Sequence, residues 1–199
     1  MGEAYFPGAT TLGVACKEGV ILASEKRVTL GYLVVSKTGK KVFRITNGIG
    51  AACAGLIGDM QILTRELAAY TRLFELENGR RISVRAAAKM LSSILFQRRF
   101  FPYFTQTIVG GVDEEGPGVY TLDPFGSVLP DKYAAVGSGA ELATGVLEAY
   151  YKDGLSIDEC RDLVLKAMRA ALARDALSGN GIDLLILTEE GIKEESMAT

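Results

Sequence analysis

The chain contains no histidine, and that fact sorts the chemistry open to it. The usual general base, metal ligand and pH switch are all missing. Ser-His-Asp and Cys-His hydrolases are therefore excluded. The three cysteines, Cys16, Cys53 and Cys160, lie far apart and show no C-x-x-C spacing. Zinc and redox motifs are not expected, and the three read as small core hydrophobes. Acyl transfer without histidine needs another proton acceptor, which a desolvated lysine or a free α-amine can supply. The amine suits the task because its ordinary pKa, about 7.7 to 8.0, is already near working pH. This chemistry points to a threonine freed at a chain terminus, and the stretch "PGATTLG" at residues 7–13 places Thr10 and Thr11 close to the start.

Composition narrows the remaining classes. At 199 residues, 48% hydrophobic and 23% charged, the chain can bury a sizeable core as one domain. A net charge of −2 and a pI of about 5.4 give no electrostatic case for nucleic acid or an anionic membrane. No apolar stretch reaches membrane-spanning length, and "MGEAYFPG" lacks the basic start and apolar middle of a secretory signal. An intracellular, cytoplasmic protein with reduced thiols is expected.

The elements that must position any site follow from periodicity. Leu12 to Cys16 and Val20 to Ala23 read as a hairpin turning at Lys17-Glu18-Gly19. "YLVVS" and "KKVFRI" read as a second pair around Lys37-Thr38-Gly39. "IGAACAGLIGD" suits a strand buried on both faces. From Asp59, taken as an N-cap, Ile62, Leu63, Leu67, Tyr70 and Leu73 recur at helical spacing until Asn78-Gly79. A second helix starts at Ser83 and ends before Pro102. Strands resume with "TQTIVGGVD", "GVYTLDPFG" and "KYAAVGSG". A third helix is predicted over 141–152. A fourth opens on the capping box Ser156-Ile157-Asp158-Glu159 and runs to about Ala173. "IDLLILT" is a last strand before an acidic tail. No linker marks a domain boundary. The most economical packing is an α+β, four-layer αββα sandwich, two sheets face to face with a helix pair outside each.

Several stretches, in order and at consistent spacing, carry a resemblance. They are "TTLGVACKEGVILASEKRVT", "SKTGKKVFRI", "AGLIGD", "YFTQTIVGGVD", "GSG" before "GVLE", and "RDALSGNGID". From Ala9 to about Leu187 the sequence resembles β-subunits of the proteasome core particle, the archaeal kind in particular, within the N-terminal nucleophile hydrolases. The resemblance implies a propeptide that ends in glycine and is removed by autolysis. The exposed threonine then serves as nucleophile and, through its amine, as base. The family motif is three threonines, an apolar residue and glycine. Here those positions are Ala9, Thr10, Thr11, Leu12 and Gly13, after Gly8 at the propeptide junction. Alanine therefore stands at the nucleophile position, with residues 1–8 as the propeptide and 9–199 as one domain.

The same resemblance assigns the remaining site. Lys41 matches the lysine beside the nucleophile, and alternation in "KKVFRI" places it opposite Val42, alongside Phe43 and Ile45. Glu25 matches the carboxylate that pairs with that lysine. Asp175 and Ser178 match the pair that positions the threonine amine, with Ser138 beside them. Gly55 matches the glycine whose N–H receives the oxyanion, and Val28, Cys53 and Ile57 would line an apolar specificity pocket. No cofactor or metal is implied.

If residues 9–11 form a strand, Ala9 and Thr11 face one way and Thr10 the other, so Thr10 cannot replace the missing nucleophile. The expectation is an uncut Gly8-Ala9 bond and no peptidase activity. Two origins fit Ala9. One is a substitution introduced to trap the precursor, favoured by retention of every supporting residue. The other is a native alanine in a structural β-subunit beside an active paralogue. The partners implied are proteasome α-subunits and other β-subunits in seven-membered rings stacked between α rings. Unfolded polypeptides are the implied substrates, with a regulatory ATPase cap acting indirectly and neither nucleic acid nor membrane involved.

Overall fold

The computed structural model describes residues 8–198. Of the expected propeptide only Gly8 falls within them; residues 1–7 lie outside.

The first sheet is built from β1 (Thr10–Ala15), β2 (Gly19–Glu25), β10 (Tyr133–Gly137), β11 (Ile182–Thr188) and β12 (Gly191–Met197), in the order β10-β1-β2-β11-β12. The second is built from β5 (Val42–Arg44), β6 (Ile49–Gly55), β7 (Thr105–Asp113), β8 (Gly116–Leu122) and β9 (Val128–Asp131), in that order. Both sheets are antiparallel throughout. A separate hairpin joins β3 (Val28–Leu30) to β4 (Leu33–Ser36).

The four layers are visible in how the apolar residues sort. Helices α3 (Ala140–Tyr150) and α4 (Ile157–Leu172) cover Leu12, Val14, Ile21 and Leu184 of the first sheet. Helices α1 (Ile57–Asn78) and α2 (Val84–Gln97) cover Ile49, Ala51, Val109 and Leu122 of the second. Between the sheets lie Val20, Leu22, Val42, Ala52, Ile108 and Leu185. Strand β2 is buried at every position because both of its faces are covered, which is why it reads as a continuous apolar run. The sheets approach closely where Gly110 faces Val20: a Cβ there would stand 2.8 Å from a valine methyl. The molecule is the expected αββα sandwich.

Five local expectations need correction. Helix α1 starts two residues before Asp59, at an N-cap, Leu56, with no side-chain cap bond. Asp59 instead accepts the Phe104 N–H at 2.8 Å from a first-turn position that suits its charge. The buried stripe of α1 is Met60, Leu63, Thr64, Leu67 and Thr71; Ile62, Tyr70 and Leu73 are exposed. "YLVVS" pairs back onto β3, and "KKVFRI" pairs with β6, so the two belong to different sheets. β9 is a further strand that the reading did not anticipate. The acidic tail is also a strand, β12, paired along β11. Its charges are compensated: Arg161 donates to Glu195 at 2.7 and 2.9 Å, and Lys40 to Glu194 at 3.0 Å.

The caps behave as the sequence reads. Ser83 accepts the Ala86 N–H, and Ser156 with Glu159 forms a complete capping box. Gly79 closes α1 at φ 65°, with its N–H on the Glu75 carbonyl. Among the described residues no helix is long and apolar enough to cross a membrane.

Candidate active site

Residue 9 sits at the mouth of the space between the sheets. Ala9 is fully buried and packs with Ala54 and Val136 in the inter-sheet cluster. Its N–H donates to Ser138 Oγ at 3.1 Å, and its carbonyl accepts the Gly139 N–H at 3.3 Å. The "GSG" segment that makes these contacts follows β10. A Cβ on Gly137, at φ 98°, would lie 2.2 Å from the Ala9 carbonyl oxygen. A Cβ on Gly139 would lie 2.0 Å from Thr10 Oγ1. Both glycines are thus required by close approach to β1, and "GSG" is more than a surface turn.

The segment after α4 closes the other side. Asp175 caps that helix end through its N–H on the Ala171 carbonyl at 2.8 Å. Its Oδ2 receives Ser138 Oγ and Ser178 Oγ, both at 2.6 Å, while Oδ1 accepts the Leu177 N–H at 3.1 Å. A serine has one hydroxyl proton, so each proton on Asp175 fixes the rest of the chain. Ser138 keeps its lone pairs for the Ala9 N–H. Ser178 accepts from Thr10, whose Oγ1 is 2.7 Å away.

Lys41 and Glu25 form a second group, buried to 1% and 0% exposure. Glu25, the last residue of β2, receives Lys41 Nζ on Oε1, and Oε2 accepts the N–H groups of Arg27 at 2.6 Å and Gly179 at 3.0 Å. Lys41 also donates to the Arg27 carbonyl at 2.6 Å. Burial pushes the Glu25 carboxyl above, and the Lys41 ammonium below, their ordinary ranges; their mutual attraction opposes both shifts. Asp175 adds its own favourable charge to Lys41 and so links the two groups. The route to burial differs from the expected one. Lys41 precedes β5, and its bonded partners are Glu25 and Arg27, whereas Phe43 and Ile45 pack toward α1 and α2.

A cleft of about 270 Å³ runs past these groups, lined by Gly8, Val28, Val35, Lys41, Gly55 and Ile57 among others. Val28 and Ile57 are among its lining residues. Cys53 does not line it: it is fully buried, with its thiol 3.6 Å from Thr107 Oγ1. In β6 it points away from Ala52 and Ala54, which face the other sheet. Gly55 bends the strand end at φ 140°, where a Cβ would lie 2.0 Å from the Phe104 carbonyl oxygen.

Thr10 faces α4 and Thr11 faces the second sheet, where Thr11 Oγ1 donates to the Cys53 carbonyl at 3.0 Å. Two residues escaped the sequence reading. Arg27 fastens the 176–180 loop to the end of β2, donating to Asn180 Oδ1 at 2.9 Å and the Ala176 carbonyl at 2.7 Å. Asn180 meets it from a left-handed conformation, φ 66°. The Asn-Gly turn was a visible signal; its arginine, far away in sequence, was not. Thr10 acts as the donor that sets Ser178, a role no spacing announces. Among the described residues no group of three or more His, Cys, Asp or Glu side chains could hold a metal ion, and no buried side-chain nitrogen or oxygen lacks a hydrogen-bond partner.

The structure brings together a buried Lys41-Glu25 ion pair beside a cleft that Gly8 also lines, and a hydrogen-bonded Ser138-Asp175-Ser178 group on Ala9. Comparison with known proteins gives the family of the chain. The family described as "Proteasome subunit" matches residues 5–187. Proteasome subunit beta 1 of Nitrosopumilus maritimus is 50% identical over 190 residues, covering 96% of each chain. Proteasome subunit beta 2 of Pyrobaculum calidifontis is 46% identical over 197 residues, 99% of this chain and 97% of that one. Proteasome subunit beta 1 of Cenarchaeum symbiosum is 50% identical over 192 residues, 96% and 99% of the two chains. The chain belongs to the proteasome β-subunit family.

Proposed function

We propose that this β-subunit carries a site built for threonine-type hydrolysis of peptide bonds, left without its nucleophile by Ala9. The observation that supports this reading most is convergence. The Ser138-Asp175-Ser178 group contacts residue 9, and Lys41 of the buried Lys41-Glu25 pair lines the same cleft as Gly8, the residue before it. With a threonine there, the hydroxyl would attack the Gly8 carbonyl carbon while Lys41, its pKa lowered by burial, takes up the proton. The acyl group would pass from nitrogen to oxygen, and water would then release residues 1–8. The freed amine would occupy the place of the present Ala9 N–H, oriented by Ser138. In turnover the same hydroxyl would attack a substrate carbonyl, with the oxyanion at the Gly55 N–H, a kind of contact worth about 3 kcal/mol. Val28 and Ile57 would receive an apolar side chain before the scissile bond. A methyl group can do none of this, so the Gly8-Ala9 bond stays intact and the chain is inactive.

The same reading places the chain in seven-membered β rings between rings of α-subunits, in the cytoplasm, acting on unfolded polypeptides delivered by an ATPase cap. A second reading, a non-catalytic structural subunit beside an active paralogue, draws on how completely the Ala9 methyl is packed. It also draws on relatives named both beta 1 and beta 2. Reconstitution with α-subunits separates the two. The Ala9→Thr chain is expected to lose residues 1–8 by intact mass and to turn over a fluorogenic peptide, while the unsubstituted chain does neither. An Ala9→Thr particle that assembles but neither processes nor cleaves would refute the catalytic reading. A mass lacking residues 1–8 in the unsubstituted chain would refute its inactivity.

A further inference from the structure

The hydroxyl next to the reactive position has a task of its own. Thr10 is fully buried on β1, and its partner Ser178 is 1% exposed. Thr10 Oγ1 sits above Gly139, where a Cβ would lie 2.0 Å from it and 3.2 Å from Asp175 Oδ2. The missing side chain of Gly139 thus admits the Thr10 hydroxyl and the carboxylate to one small space. There Thr10 Oγ1 meets Ser178 Oγ at 2.7 Å.

The proton order of this contact follows from the groups beyond it. An ionised carboxylate only accepts, so the 2.6 Å bond from Ser178 Oγ to Asp175 Oδ2 uses the one proton that Ser178 has. Thr10 must therefore donate to Ser178. Ser138 gives its own proton to the same Oδ2 at 2.6 Å. The Ala9 carbonyl, 3.2 Å from Ser138 Oγ, is the farther and uncharged competitor for it. Ser138 Oγ is left with lone pairs, and one of them receives the N–H of residue 9 at 3.1 Å. A single ordered chain thus runs from Thr10 through Ser178, Asp175 and Ser138 to the nitrogen of residue 9. Lys41 is hydrogen-bonded elsewhere, to Glu25 and the Arg27 carbonyl.

We propose that Thr10 is a positioning residue for the nitrogen of residue 9: its hydroxyl locks Ser178 onto Asp175 and thereby holds Ser138 as the acceptor for the free amine in turnover. On the threonine-hydrolase reading above, on which this role rests, Thr10 serves only one of two reactions. Removal of residues 1–8 draws on Lys41 while the nitrogen is still an amide. Turnover draws on the freed amine, which takes the proton of the nucleophile. Without the Thr10 proton, Ser178 is free to turn from Asp175. The carboxylate then bears more of its charge itself, and the amine beside Ser138 keeps its proton to higher pH. Loss of Thr10 Oγ1 should slow turnover and spare processing.

Particles reconstituted with α-subunits from Ala9→Thr chains test this, with Thr10→Val, Thr10→Ser or Ser178→Ala added. Valine keeps the shape of threonine without its hydroxyl. Intact mass should show residues 1–8 removed from Ala9→Thr and from its Thr10→Val form. On a fluorogenic peptide, Thr10→Val should lower kcat about tenfold, the scale of one buried hydrogen bond, with KM unchanged. The acid limb of its kcat/KM profile should move up by about half a pH unit. Thr10→Ser should recover both. Thr10→Val should add little to Ser178→Ala, because the two residues act as a unit. A working Ala9→Thr particle that Thr10→Val matches in rate and pH profile overturns this role alone. An equal loss in Thr10→Ser and Thr10→Val does the same, as does a loss confined to KM. Thr10→Val that leaves residues 1–8 in place overturns the division between turnover and processing. Ala9→Thr that assembles but neither processes nor turns over overturns the catalytic reading and this role with it. Where Thr10→Val does not assemble, Thr10→Ala is read by the same measures.

Discussion

Replacing Lys41 by methionine keeps most of the side chain's length and apolar volume and removes only its charge. In the present structure that charge is 1% exposed and faces a carboxylate with no exposure at all. Breaking a buried pair from one side typically costs about 3 to 5 kcal/mol, since the remaining ion has lost its compensation. Glu25 keeps two backbone donors, the N–H groups of Arg27 and Gly179, so the lower end, about 3 kcal/mol, is expected at pH 8. For a chain of this size that is a fall in midpoint of about 6 to 12 °C. The loss should shrink in acid. Without Lys41 the buried carboxyl is raised further above its ordinary value of 4.5. Between that value and the raised one the folded state then holds more protons than the unfolded state, so its stability falls as pH rises through the window. Glu25 is already raised in the unsubstituted chain, so the difference narrows, by up to about 1.4 kcal/mol per pH unit as pH is lowered, between that raised value and the still higher one of the variant. Urea unfolding of both chains at pH 8 and pH 5.5 measures this. A loss below about 1 kcal/mol at pH 8, or an equal loss at both pH values, would mean the pair is hydrated, and the argument from burial would fall.

Substitution at two glycines of one segment should have opposite effects. Gly55→Ala meets the Phe104 carbonyl at 2.0 Å from a left-handed backbone, and a loss of about 2 kcal/mol or more should appear in urea unfolding. Gly58→Ala, inside α1 with nothing within 4 Å, should raise stability by about 0.5 to 1 kcal/mol. Ser156→Ala removes the capping box of α4 and should lower the urea-unfolding free energy by about 1 kcal/mol.

Local chemistry was legible wherever it is local in the chain. The capping box at Ser156, the glycine stop at Gly79 and the continuous run of β6 all depend on neighbours a few residues away. The strand at 191–197 was not legible, because "GIKEESM" has the composition of a tail. It is held by pairing with β11 and by Arg161 reaching Glu195 from α4, contacts that no periodicity records. The stripe of α1 went astray for a related reason. Thr64 and Thr71 lie on its buried face, where each hydroxyl donates to a carbonyl of its own helix, and this lets a polar type occupy a core position. In the site, Lys41, Glu25 and Asp175 were candidates only through the resemblance to the family. Arg27 and Thr10 owe their roles to partners more than a hundred residues away.

Thr10 also shows why the chemistry is bound to position 9. Its hydroxyl is next in the chain, yet it faces α4 and is spent on Ser178. Bringing it to the cleft would require β1 to slip by one residue. In the present register Thr11 pairs with Ser24 and Leu12 with Ala23, and Leu12 and Val14 pack beneath α3 and α4. A slip would exchange the two faces of the strand. Leu12 and Val14 would turn toward the second sheet, into space that Gly13 leaves only because it has no side chain: a Cβ there would already stand 2.8 Å from an Ile108 methyl. Thr11 would turn away from the Cys53 carbonyl, its acceptor at 3.0 Å. The alternation that packs the helices against the first sheet thus keeps Thr10 from taking the place of residue 9. On the proposed reading, a gain of hydrolysis in this chain is expected through residue 9 and not through Thr10.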